Sequence, residues 1–154
     1  MKHAASLGIA LLLAAVAAGH ADAVCNVTAT GINFGNYDVF SPTALDSTGS
    51  VTVWCDQVPP PNVVIAIGPG GSGTFIPRRL RHASQPDQLV YNVFTSPAMS
   101  VVWGDGTGGT ATVTLSRVQR NKPPRIATIY ARIPPVQNVS VGSYSDTLVV
   151  TILW

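Results

Sequence analysis

Apolar and polar residues alternate along several short segments of the chain. In SVTVWC, the side chains of Val51, Val53 and Cys55 fall on one face, and the polar Thr52 falls on the other. QLVYNVF at 88–94 and TATVTLSRV at 110–118 repeat this period of two. Alternation over a few residues, with many β-branched side chains, predicts half-buried β-strands rather than helices.

Other segments are strand candidates because of their composition. Four further strand candidates are found in this way: Asn26–Phe34, Asn62–Ile67, Arg125–Ile133 and Asp146–Trp154. Gly-rich stretches at 68–73 and 104–109 and a run of three prolines at 59–61 read as turns or extended links between strands. About seven short strands with turns at this spacing predict a single all-β domain, a β-sandwich, over residues 24–154.

The first 23 residues have the pattern of a secretory signal peptide. Lys2 precedes an apolar run at 7–18, and Ala21-Asp22-Ala23 has the small-x-small form of a cleavage site. The run is shorter than the ~20 residues that span a bilayer. We therefore expect a signal peptide at 1–23 and export of the chain, with cleavage after Ala18 as the alternative. No second long apolar run occurs, so no membrane insertion is expected.

The charge pattern narrows the classes of partner. The formal net charge is only +2, and the sequence has no Glu. So small an excess of positive charge does not indicate nucleic acid as a partner. Scarce long helix formers and abundant Val, Thr, Ser and Gly again favour β-structure.

The two cysteines, Cys25 and Cys55, both follow the predicted leader. An even pair in an exported chain predicts a disulfide. The loop-entropy model assigns such a link about 3.5 kcal/mol of stabilisation. The alternative, a metal site or a reactive thiol, lacks support because His82 is the only histidine after the leader and no Cys-x-x-Cys spacing occurs.

Candidate catalytic and binding motifs are weak. GPGGSGT at 68–74 lacks the Gly-Lys-Ser/Thr ending of a phosphate-binding loop, and GDGTGG with Asp105 lacks the ligand spacing of a calcium loop. His82 has no Gly-x-Ser-x-Gly elbow to accompany it and reads as a surface residue. The arginines at 78, 79 and 81 are interpreted as solvating a strand edge or pairing with Asp. The sequence therefore predicts no enzyme, no cofactor and no metal.

Five short motifs in a fixed order carry a family resemblance. They are FGNYD at 34–38, DSTGSVTVWC at 46–55, Arg79-Leu80 followed by LVYNVF at 89–94, WGDG at 103–106, and GSYSD at 142–146 leading into TLVVTILW. In this order the chain resembles the spore coat protein U domain, the pilin-type domain of archaic (Csu-type) chaperone–usher pili. The resemblance extends over nearly all of residues 24–154.

The resemblance implies an immunoglobulin-like sandwich that lacks its last strand. A periplasmic chaperone first fills the groove, and a neighbouring pilin subunit then fills it with its N-terminal strand while an outer-membrane usher assembles the fibre. On this reading, Leu148, Val150 and Ile152 of the last strand line the donor-strand groove. The opposite face is the alternative set: Val149, Thr151 and Leu153. The location implied is a pilus on the cell surface, reached by secretion through the periplasm, and the role is surface attachment and biofilm formation.

The stretch before Cys25 predicts a special position in such a fibre. Fibre-forming subunits of the family carry an alternating apolar arm there, whereas cleavage after Ala23 leaves Val24 alone. We therefore expect an acceptor-only subunit, at the tip or minor. Two alternatives remain: a self-contained secreted coat protein of a cell or spore surface, and a secreted small-ligand binder or enzyme in which Asp105, His82 and the arginines converge.

Overall fold

The structure is a computed structural model that describes residues 24–56, 61–119 and 122–154. The predicted signal peptide at 1–23 lies outside the described residues. These residues form nine strands, where about seven were predicted: β1 Cys25–Thr30, β2 Leu45–Cys55, β3 Val63–Ile67, β4 Arg78–His82, β5 Gln88–Phe94, β6 Val113–Leu115, β7 Arg125–Ile133, β8 Tyr144–Ser145 and β9 Val150–Leu153. Within these ranges no helix reaches the length and apolarity needed to cross a bilayer.

The strands form two sheets with antiparallel ladders. One sheet has six strands in the order β1-β2-β7-β5-β4-β8, and the other has three in the order β6-β3-β9. The first sheet therefore ends in β1 on one side and in β8 on the other. Among the described strands, β1 pairs with β2 alone and β8 with β4 alone.

Two chain segments join the sheets, and each consists of two strands separated by a break: β3 and β4 in one segment, and β8 and β9 in the other. β9 runs antiparallel to β3, with Val64 opposite Leu153, and β8 runs antiparallel to β4, with Arg81 opposite Ser145. Residues 144–153 therefore follow residues 63–82 along one side, and both segments pass from one sheet to the other. The short 3₁₀ turn Gly70–Ser72 lies in the first interruption.

The core is apolar and lies between the sheets. Its buried residues alternate along β2, β3, β5 and β7, and include Val51, Val53, Ile65, Tyr91 and Ile129. Cys25 and Cys55 are directly opposed in the β1–β2 ladder and form the predicted disulfide. Trp103 is fully buried, and its indole N–H donates to the Ile65 carbonyl at 3.0 Å.

Several strand predictions were wrong in their bounds. β4 was not predicted, because RRLRH has only one apolar side chain, Leu80. The predicted strand Asp146–Trp154 is strand only over Val150–Leu153, and the one predicted at 110–118 is strand only over Val113–Leu115. Asp146 interrupts the final strand because its carboxylate accepts hydrogen bonds from the Gly71 and Thr147 amides instead of facing solvent.

Candidate functional site

The inner face of β1 is uncovered. Val27 is opposite Val53 and Ala29 is opposite Val51, and directly opposed residues of an antiparallel pair point to the same face of a sheet. Val51 and Val53 are fully buried, whereas Val27 is 40% exposed and Ala29 is exposed. The core-facing side of the sheet is therefore covered by other residues at β2 and exposed at β1.

A cavity lies between the segment that follows β1 and the segment that leads into β8. Its volume is about 660 Å³. One wall is the segment 33–40 that follows β1, and the other is the segment 139–144 that leads into β8. Leu80, Leu89 and Ile133 also line it, and Leu89 and Ile133 belong to the buried core. We call this cavity, together with the edges of β1 and β9 that pair with no other described strand, the edge gap.

The FGNYD motif builds the first wall. Phe34 packs edge-on against Tyr91, with ring centroids 6.2 Å apart, and anchors the segment to the core. Gly35 adopts φ +71°, a left-handed conformation that favours glycine. The Tyr37 hydroxyl donates to the Pro134 carbonyl at 3.0 Å and accepts from the Gln137 amide at 2.9 Å, which ties this wall to the chain after β7.

His82 holds the second wall. Its Nδ1 accepts hydrogen bonds from the amides of Ser84 and Gln85, so the proton lies on Nε2, which donates to the Val141 carbonyl at 3.2 Å. The Tyr144 ring packs edge-on at 4.9 Å. A Cβ on Gly142 would lie 2.0 Å from Nε2, so only glycine fits beside this ring. His82 is thus a structural residue of the cavity wall.

The final strand turns one face toward the core. Leu148, Val150 and Ile152 are half-buried and pack against the buried cluster, whereas Val149, Thr151 and Leu153 are exposed. Of the two sets predicted from the sequence, the first therefore faces the sandwich interior. Among the described strands, β9 pairs with β3 alone, so it is an edge strand of the three-stranded sheet.

A buried polar cluster stabilises the two breaks at which the chain passes between the sheets, one between β3 and β4 and one between β8 and β9. Arg78 is fully buried, and its guanidinium donates to the carbonyls of Ile67, Gly68 and Trp103 and to the Asn92 side chain. Burial lowers the pKa of Arg78, while Tyr91 and Asp146 act in the opposite direction. The interpretation of Arg78 as a surface residue was wrong, since the interruption after β3 leaves carbonyls that need a buried donor.

Asp146 completes this cluster from the junction between β8 and β9. Its Oδ2 accepts the Tyr91 hydroxyl at 2.6 Å, and its Oδ1 accepts the Gly71 amide at 2.8 Å. Burial, followed by the hydrogen bond to Asp146, raises the pKa of the Tyr91 hydroxyl well above its ordinary value. The cluster therefore fixes where residues 144–153 cross between the sheets.

The residues considered for catalysis have local structural contacts instead. Asp105 accepts hydrogen bonds from the amide and hydroxyl of Thr107, which closes the turn predicted for GDGTGG and lowers the pKa of its carboxyl. His82 contacts Ser84, Gln85, Val141 and Tyr144 in the cavity wall. In the described ranges, no group of three or more His, Cys, Asp or Glu side chains could hold a metal ion.

Comparison with known proteins places this architecture in a family. The model of the spore coat protein U domain matches residues 11–151. The chain belongs to the spore coat protein U domain family. Protein U of Myxococcus xanthus is 35% identical to this spore coat protein U domain over 132 residues, which cover 79% of this chain and 70% of that protein.

A solved structure supports the fold of this spore coat protein U domain. The crystal structure of the CsuC–CsuE chaperone–tip adhesion subunit pre-assembly complex from archaic chaperone–usher Csu pili of Acinetobacter baumannii matches 86% of the chain, with a TM-score of 0.57 and 16% identity. The match covers 40% of the other chain, so this domain spans about two-fifths of its length. The likeness confirms the predicted immunoglobulin-like fold.

Proposed function

We propose that this protein is an exported subunit of an archaic chaperone–usher pilus that receives a β-strand from a partner in the edge gap. The observation that carries the proposal is the uncovered inner face of β1, beside a cavity lined by core residues. Membership of the family and the likeness to a pilus subunit complex support it. The function is structural and adhesive rather than enzymatic.

The edge gap suits a strand because both of its borders offer backbone partners. β1 and β9 are edge strands of their sheets, so each has one side of its backbone that pairs with no other described strand. A strand with alternating apolar residues would cover Val27 and Ala29 on one side and pack beside Val150 and Ile152 on the other. This is β-strand addition, in which backbone hydrogen bonds provide affinity and alternate side chains provide specificity.

Three partners follow from the proposal. A periplasmic chaperone covers the gap before assembly, an outer-membrane usher passes the subunit to the surface, and a neighbouring pilin subunit donates the permanent strand. The protein then lies in a surface pilus and contributes to attachment and biofilm formation. Leu148, Val150 and Ile152 are the groove residues that we propose on the final strand.

We further propose that this subunit accepts a strand from a partner but donates none. β1 begins at Cys25, whose disulfide to Cys55 fixes the start of the strand to the chain's own sheet. Cleavage after Ala23 would leave no arm long enough to reach a second subunit. We therefore propose a tip or minor subunit.

A second function is favoured by the family name and by the likeness to protein U. In this alternative the protein is a self-contained secreted coat protein of a cell or spore surface, and the edge gap needs no donated strand. The two functions differ in one property, the dependence of the folded chain on a chaperone.

The deciding experiment is expression in the periplasm of a Gram-negative host, with and without a cognate chaperone. The pilus proposal predicts that soluble protein accumulates only as a 1:1 complex with the chaperone. A stable soluble monomer in equal yield without chaperone would refute the need for a donated strand and favour the coat protein.

Two matched variants then locate the binding surface. Val27→Asp places a charge on the inner face of β1 and should abolish the chaperone complex, because the incoming strand would bury that charge. Thr28→Asp is the control: Thr28 is exposed, adjacent in the strand and on the opposite face. Equal complex formation by both variants would move the strand-binding surface away from β1.

A further inference from the structure

The β1–β2 ladder extends one residue beyond the disulfide. The Asp56 amide donates to the Val24 carbonyl at 3.1 Å, and the Val24 nitrogen lies 3.1 Å from Oδ1 of the Asp56 side chain. The partner of this nitrogen is thus a carboxylate, at the position where an antiparallel ladder ordinarily supplies a neutral backbone carbonyl.

A carboxylate suits a charged partner better than an amide. It is an anionic acceptor, and its hydrogen bonds to cationic nitrogens are stronger than those between neutral groups. The Ala21-Asp22-Ala23 pattern directly before Val24 has the form of a leader cleavage site. The sequence pattern indicates the bond that is cleaved, and the contact geometry shows which side chain the new amine would meet.

We propose that the exported chain begins at Val24 and that Asp56 binds its α-ammonium. Hydrolysis of the Ala23–Val24 peptide bond by the signal peptidase adds one water: Ala23 gains the carboxylate oxygen, and Val24 gains the amine, which is protonated at neutral pH. The new ammonium forms an ion pair with Asp56 at the end of β2. The ion pair and the adjacent Cys25–Cys55 disulfide together fix the first two residues of the mature chain.

The proposed ion pair would agree with a subunit that accepts a strand and donates none. An N-terminus bound to its own sheet cannot extend into the edge gap of another subunit. This consequence rests on the proposed function, whereas the start at Val24 and the contact with Asp56 do not.

Mass spectrometry and thermal unfolding of the exported protein test the proposal. The intact mass and N-terminal sequence should begin at Val24. Asp56→Asn keeps the hydrogen-bond acceptor but removes the charge, and should lower Tm by about 1–3 °C at low salt, a difference that shrinks in 1 M NaCl. The control is a chain with Gly-Ser inserted between Ala23 and Val24, which moves the ammonium away from Asp56.

In the inserted chain, Asp56→Asn should leave Tm unchanged. A mature chain that begins at Gly19 would overturn the proposal, and so would an Asp56→Asn effect of equal size with and without the insertion. Mass and N-terminal sequence are measured on the exported chain whether or not a chaperone is bound, and each Tm comparison uses samples in the same bound state. If the protein accepted no strand, the mass and the Tm differences would be unchanged, so failure of the proposed function can be distinguished from failure of the Val24–Asp56 ion pair.

Discussion

β1 and β7 flank the same strand, β2, but only β7 is covered. Ala29 of β1 and Ala127 of β7 both lie opposite Val51, one on each side, and share its face of the sheet. Ala127 is 5% exposed, whereas Ala29 is exposed. Two identical side chains beside the same valine thus differ in exposure, one on the edge strand β1 and one on the interior strand β7. The opening is therefore a property of one border of the sandwich and not of loose packing throughout.

The largest expected effect separates these two alanines directly. Ala127→Asp would bury an unpaired charge and should lower the free energy of unfolding by about 3–5 kcal/mol, enough to prevent folding of a marginal domain. Ala29→Asp should lower it by less than about 1 kcal/mol, because its carboxylate stays in water. Urea denaturation of both variants measures the difference, and similar losses would mean that β1 is covered after all.

Removal of the disulfide should come next in size. β7 is held by packing on both sides, whereas β1 has one neighbouring strand and a covalent link. Cys25→Ala with Cys55→Ala should lower the free energy of unfolding by about 3.5 kcal/mol in the loop-entropy model. Hydrogen exchange should then accelerate more in β1 than in β7. Uniform acceleration along both strands would contradict a local role for the disulfide at the open border.

The opposite border of the edge gap depends on Asp146. Asp146→Asn replaces an acceptor oxygen with a donor beside the Tyr91 hydroxyl and the Gly71 amide, and should lower the free energy of unfolding by about 1–3 kcal/mol. Tyr91→Phe in the same background should relieve part of this loss. A double-mutant cycle measures the coupling, and strictly additive effects would show that the two side chains act independently.

The smallest effect concerns the outer face, where β2 and β7 are both exposed. Arg132 donates from Nε and from a terminal nitrogen to the two carboxylate oxygens of Asp46, at 2.6 and 2.7 Å. The hydrogen bond from Arg132 lowers the pKa of Asp46. The stabilisation from this ion pair is therefore present above the pKa of Asp46 in the unfolded chain, about 3.9. It is lost as pH falls through the lower pKa of Asp46 in the folded protein. Asp46→Asn should lower the free energy of unfolding by less than about 1 kcal/mol at pH 7, since solvent screens the pair.

The pH dependence provides the check on that ion pair. Stability curves of the wild type and of Asp46→Asn should converge as the solution is acidified toward pH 2. A difference that persists unchanged at pH 2 would mean that the substitution acts through packing and not through charge.

The strands that alternate strictly were predictable from the sequence. Val51, Val53 and Cys55 of β2 and Leu89, Tyr91 and Val93 of β5 are buried as the period of two requires. The disulfide followed from the cysteine count in an exported chain. In these segments local pattern and tertiary packing agree, because each strand has one covered face.

β4 and the break at the start of the predicted final strand could not be predicted in the same way. Arg78 is buried because carbonyls from two other segments, 67–68 and Trp103, converge on its guanidinium, and that convergence exists only in the folded sandwich. Asp146 interrupts an apolar run for a related reason. The exposure of Val27 could not be predicted from the sequence either. Alternation predicts which residues share a face, but not whether a second layer covers that face.

A strand supplied in cis tests the central claim most directly. A turn and a strand of alternating Val and Thr would be added after Trp154, with a control strand whose alternation is shifted by one residue so that the opposite face is apolar. The open edge gap predicts that the first strand raises Tm by about 10 °C or more and slows amide exchange in β1 and β9, while the shifted strand does neither. Equal Tm values for the unextended chain and both extended chains would contradict it.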